Sequence, residues 1–286
     1  MDDDILQGWT LDPDTRIRMR LDQVRKLLDT MAWHEAVLEA EELLDEEPQH
    51  VPALELLAKA QLGMMDAEGA VLTWEQVHAL DPTPSADRLA SLAMARFDTT
   101  DLVGAVEAAR ESIRLDSGRA EAHFVLGLAL ERLPGRSVEA AQALVAASRL
   151  DPLAYPFPIR LDAKGWEQAL TTAMLQVTPE VRALWEGVPV RLPDYPDMEL
   201  LRSSQPHLSP RLPGMYQGNA PSLAEEPVED PWSEKPDGLL LFTQNLARVH
   251  SLDELVERLA DVLEQEALVW VGEDPWGPDD VELEEM

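Results

Sequence analysis

Residues 120–152 read A-E-A-H-F-V-L-G-L-A-L-E-R-L-P-G-R-S-V-E-A-A-Q-A-L-V-A-A-S-R-L-D-P. Two runs rich in alanine and leucine flank the break Leu-Pro-Gly-Arg-Ser at 133–137, and Leu150-Asp151-Pro152 closes the stretch. Proline lacks an amide donor and disfavours helix in the residue before it, so Asp-Pro stops the second run. Gly127 in the first run lets one helix pack closely on another. The stretch predicts a helical hairpin.

Its pattern repeats upstream. Leu80-Asp81-Pro82, Leu115-Asp116-Ser117 and Leu150-Asp151-Pro152 recur every 35 residues. The same step links Ala70, Ala105 and Ala140, and again Trp74, Ala109 and Leu144. One period earlier, at a step of 34, stand Ala36, Ala40 and Pro48. Three ladders in register define a repeat of one helix-turn-helix unit. Small alanine at one rung admits a neighbouring helix, and the larger residue four positions on fills the next layer.

This pattern resembles the tetratricopeptide repeat. Its positions are matched by Leu126, Gly127, Ala140, Leu144, Ala147 and Pro152 in the last unit, and by Leu57, Ala58, Ala70, Trp74 and Pro82 in the second. About four units fit residues 17–154, after an N-terminal extension of residues 1–16. The resemblance implies a stacked α-solenoid whose inner groove binds a protein or peptide partner. By the family's register that face includes Arg18, Arg25 and Lys59, which suit an acidic peptide or a chain-terminal carboxylate. Glu55, Asp87 and Glu121 share the same face, so its charge is mixed.

The chain of 286 residues carries a formal net charge of −32, which disfavours nucleic acid and anionic membrane surfaces. A basic partner is its electrostatic complement, although acidity also serves solubility. With no cysteine, disulfides, thiolate metal sites and cysteine nucleophiles are excluded. No apolar run approaches the roughly 20 residues that span a bilayer. The N-terminus lacks the basic and apolar regions of a signal peptide, so a cytoplasmic protein is expected.

Beyond Pro152 the tempo changes. Tyr155-Pro156-Phe157-Pro158 reads as part of a hinge over 155–163, followed by a small α/β domain over 164–276. Residues 164–175 and 179–186 read as helices, with Thr178 as N-cap and Pro179 at the first helical position. Residues 188–192 read as an extended sheet edge. The segment 193–236 holds nine prolines and reads as a long irregular insertion, with Leu212-Pro-Gly-Met-Tyr-Gln-Gly218 as an island inside it. Residues 239–243 read as a buried strand. Ser251 to Glu254 forms a capping box, and Leu252, Leu255, Leu259, Val262, Leu263 and Val269 mark the core face of the helix that follows. Glu266 falls on that face. Residues 277–286 form an acidic tail.

Val188-Pro-Val190, the island at 212–218, Pro236-Asp-Gly-Leu-Leu-Leu-Phe-Thr-Gln-Asn-Leu246 and the helix from Ser251 to Gly272 stand in the order of the minimal zincin-like metallopeptidase family of bacteria, which this half resembles. The family's helix carries H-E-x-x-H, whose histidines hold zinc while the glutamate activates a water. Here the motif is Gln265-Glu266-Ala267-Leu268-Val269, with Trp270 in place of a further histidine and Asp274 near the third ligand's place. Amide oxygen is a poor zinc ligand and valine is none. The resemblance therefore implies a pseudoenzyme with a vestigial Glu266, no cofactor and no catalytic residues. The expected function is a non-catalytic interaction scaffold, with the degenerate domain as a second docking surface. The alternative is a zinc peptidase using Glu266, Asp274 and His207 or His250. No phosphate-binding loop, nucleophile elbow or dinucleotide fingerprint is present.

Overall fold

A computed structural model describes residues 12–204, 208–224 and 228–273. The chain divides into two compact units, the first ending at Leu150 and the second beginning at Asp151.

The first unit consists of helices α1 (Pro13–Asp29), α2 (Trp33–Glu46), α3 (Val51–Gly63), α4 (Ala67–Leu80), α5 (Ala86–Asp98), α6 (Leu102–Leu115), α7 (Ala120–Glu131) and α8 (Ser137–Leu150). They pair as four hairpins. The second helix of each hairpin packs on the first helix of the next, and the first helices also touch in succession. The result is a tetratricopeptide-like α-solenoid.

The ladders explain the packing. Ala36, Ala40, Ala70, Ala105, Ala109 and Ala140 are all fully buried, with Trp74 and Leu144 beside them in the core. A side chain at Gly127 would place its Cβ 2.5 Å from Leu144 Cγ, so only glycine admits that helix approach. Asp66 and Asp101 cap α4 and α6, each carboxylate accepting the amide of the glycine three residues on at 2.9 Å. Helix α1 starts at Pro13, inside the stretch read as an N-terminal extension, because Asp12 caps it through the Thr15 amide at 3.0 Å.

The turns within the hairpins have a period that the side chains conceal. Met31, Met65, Thr100 and Gly135 all take a left-handed conformation, with φ of 58°, 61°, 63° and 74°. Only the last is glycine, so the other three carry backbone strain.

The second unit is α/β. Helices α9 (Ala163–Gln176) and α10 (Pro179–Trp185) precede β1 (Val190–Arg191), α11 (Met198–Ser203), β2 (Gly214–Gln217), β3 (Gly238–Leu241), α12 (Thr243–Leu246) and α13 (Leu252–Val271). The strand order is β1-β3-β2, with β1 parallel and β2 antiparallel to β3. Helix α13 packs on α9 and on β2, burying Leu255, Leu259, Leu263 and Ala267 completely. The Trp185 indole ties α10 to it by donating to Leu263 O at 2.9 Å.

Three expectations are corrected here. Leu252 and Val269, assigned to the core face of α13, are half-exposed at 51 % and 42 %: Leu252 is the first residue of the helix, and Val269 turns outward between the buried Ala267 and Trp270. The strand expected at 239–243 begins one residue earlier and ends two residues earlier, at Leu241, and Phe242 and Thr243 turn into α12. The insertion 193–236 is also more ordered than its prolines suggest. It supplies α11 and β2, and its carbonyls accept from the following segment: Pro193 O from Thr243, Pro213 O from Phe242, and Pro210 O and Leu212 O from the Asn245 side chain. Proline removes donors, not acceptors, so such a segment is held by its carbonyls. Segment 155–163 lies within the second unit, where Ile159 donates to Ala247 O at 2.8 Å and Ile159 and Leu161 pack on the core.

Candidate functional site

Charged side chains of the solenoid gather where the first helices of successive hairpins meet. Asp87 of α5 links two of its neighbours, one oxygen accepting from Lys59 Nζ of α3 at 3.0 Å and the other pairing with Arg119 at the start of α7, also at 3.0 Å. Beside them Arg88 donates to Glu55 of α3 and to Asp81, the latter at 2.8 Å. Bonds from Thr83 and then Arg88 hold the Asp81 carboxyl well below the usual range.

Glu121, on the first turn of α7, differs from these. It is half-buried and accepts no hydrogen bond among the described residues. Burial pushes its pKa up, and Asp87 adds to the shift, against Lys59 and Arg119. The Arg119 Nε is buried without a hydrogen-bond partner.

Of the expected partner-binding cations, Lys59 joins this network through Asp87. Arg25 pairs with Asp22 at 2.7 Å on its own helix, and Arg18 donates to Asp14 O at 3.3 Å. Of the acids expected on this face, Asp87 pairs with Lys59, Glu55 pairs with Arg88, and Glu121 lies within electrostatic reach of Lys59 and Arg119. Sequence reasoning missed Arg88 and Arg119, because each meets its acid from the preceding repeat and no local spacing marks the pair.

In the second unit, Glu266 reaches across from α13 to the sheet. Strand β2 lies at the sheet edge, and the Tyr216 amide, unused by β3, donates to Glu266 Oε2 at 2.9 Å. Burial raises the Glu266 pKa to about 7, with the Tyr216 bond opposing the shift. The Tyr216 ring stands edge-on to Trp270 at 5.2 Å, and burial followed by Glu266 raises its hydroxyl pKa. The Trp270 indole donates to Glu234 O at 2.8 Å. The island at 212–218 now has a physical basis. A Cβ at Gly214 would meet Val262 of α13 at 2.7 Å, so glycine permits the close crossing that brings Glu266 over Tyr216.

Gln265 is half-buried and Val269 exposed, one turn apart on α13. His250 cannot join Glu266 on a metal. It precedes the N-cap of α13, sixteen residues away and about 20 Å along the helix at 1.5 Å per residue, and its Nε2 lies 3.0 Å from Leu153 O. His207 and Asp274 lie outside the described residues, as does the acidic tail. Among the described residues no three His, Cys, Asp or Glu side chains cluster as metal ligands, and no helix is long and apolar enough to cross a membrane.

The fold and the charged face together define a tetratricopeptide-like solenoid joined to a small α/β unit. No protein-family model and no curated protein matches the chain. Solved structures of MamA resemble it in part. One, a crystal structure of MamA, is 23 % identical over 45 % of this chain and 74 % of its own, with a TM-score of 0.40. A MamA double mutant is 20 % identical over 48 % of this chain and 75 % of its own, at 0.42. Another crystal structure of MamA protein is 18 % identical over 51 % and 79 %, at 0.41.

Proposed function

We propose that the chain is a non-catalytic protein-interaction scaffold. The inner face of the solenoid takes up a segment of a partner protein, and the second unit, a degenerate zincin-like domain, offers a further docking surface. The observation that carries this is the shared face of α3, α5 and α7, where charged side chains from three repeats meet on a surface built of regular helices. Such a face suits recognition of a charged partner segment.

For the second unit the support is chemical. Glu266 has an amide proton for a partner and no histidine one turn away on its own helix. A carboxylate bonded to a backbone amide is set to brace a strand against a helix.

Carboxylate-to-amine crosslinking of the full chain in native lysate, read by mass spectrometry, tests the proposal. Partner peptides should attach to Glu55, Asp87 or Glu121. Crosslinks confined to other surfaces would overturn the groove assignment. Zinc-dependent cleavage of a denatured protein by the purified chain would overturn the non-catalytic one.

A further inference from the structure

Deepening that reading, and resting on it, we infer that the solenoid face is a receptor for a cationic side chain, a lysine or arginine of the partner segment, seated against Glu121.

Helix positions that repeat from one hairpin to the next lead to this. Lys59 is the ninth residue of α3 and pairs with Asp87, the second residue of α5. One repeat on, the ninth residue of α5 is Met94 and the second of α7 is Glu121. The acid recurs at its rung and the cation does not. Methionine stands where the counter-ion would be, so Glu121 is left half-buried with no hydrogen bond among the described residues. The cations nearby are already engaged: Lys59 and Arg119 by Asp87, and Arg88 by Glu55 and Asp81. Four acids therefore face three cations, and Glu121 is the one that no cation contacts directly, Lys59 and Arg119 acting on it only through space.

A half-buried carboxylate lacking a partner is costly unless something supplies the charge. A lysine from outside suits the gap, because its aliphatic stem is compatible with the thioether surface of Met94 while its ammonium meets the carboxylate. The chain's charge of −32 also draws a basic segment towards it over a distance. This differs from the expectation of an acidic ligand held by Arg18, Arg25 and Lys59. Two of those cations have carboxylate partners, and the third donates to a backbone carbonyl.

The test uses the full chain and two fluorescein-labelled octapeptides, alternating lysine with alanine or glutamate with alanine, read by anisotropy at low salt. The lysine peptide should bind. Glu121→Gln should weaken it roughly five- to tenfold, whereas Glu35→Gln, on an exposed face of α2, removes the same charge and should change little. Met94→Lys, which supplies the missing counter-ion internally, should weaken binding to a similar extent, and melting curves check that each variant is folded. Equal effects of Glu121→Gln and Glu35→Gln would refute the inference, as would the absence of lysine-peptide binding. If the glutamate peptide bound instead, the cation site would fall while the scaffold reading stood.

Discussion

Replacing Glu266 by glutamine tests the most unusual side chain of the second unit. Its carboxyl is buried against the edge of β2, and its pKa rises from 4.5 to about 7. The folded protein therefore holds a proton there that the unfolded chain has released, and stability falls as pH rises from about 4.5 to about 7. That rise in pKa corresponds to about 3 kcal/mol. The sequence pI of about 4.3 confines useful measurements to higher pH. Between pH 5.5 and 8.5 the linkage relation leaves about 2 kcal/mol of the effect. Glutamine keeps a carbonyl for the Tyr216 amide but does not titrate. The stability difference between Glu266→Gln and the parent should thus move by about 2 kcal/mol in the variant's favour across that range. Urea unfolding of the full chain, followed by tryptophan fluorescence, reads this directly, since Trp166, Trp185 and Trp270 lie in the core of this unit. Groups that Glu266 does not influence cancel in the difference. A difference that stays flat with pH would show that Glu266 is not desolvated. One that moves the other way would show that the site favours the anion.

Two further outcomes follow from the packing of the solenoid. Gly127→Ala pushes a methyl group into Leu144, 2.5 Å from its Cγ, and should cost about 1–3 kcal/mol in thermal or urea unfolding. Met65→Gly relieves a left-handed residue with φ of 61° that is 66 % exposed. It should stabilise the chain by up to about 1 kcal/mol, with loss of strain outweighing the flexibility that glycine adds to the unfolded state.

Much of the architecture was legible in the chain. Alanines at a step of 35 and the Asp-Pro stops act locally, through helix approach and the missing amide of proline, so periodicity alone located most hairpins. The capping box at Ser251 worked for the same reason, its hydroxyl accepting the Glu254 amide at 3.1 Å. The left-handed turns at Met31, Met65 and Thr100 were hidden, because glycine marks such a turn and none stands there. The proline count at 193–236 misled for a related reason. It reports lost donors and is silent about carbonyls that find donors elsewhere in the fold.

The sequence by itself determined the repeat, the helix stops and the absence of histidine beside Glu266, since each depends on residue type and short spacing. Tertiary structure alone decided which charges neutralise each other. Lys59 meets Asp87 across a repeat boundary, 28 residues apart in the chain, and the equivalent positions one unit on are Met94 and Glu121. It also decided that Glu266 would meet the Tyr216 amide 50 residues away. Ion pairs and desolvation depend on distance in space, which helix stacking sets and linear spacing does not reveal.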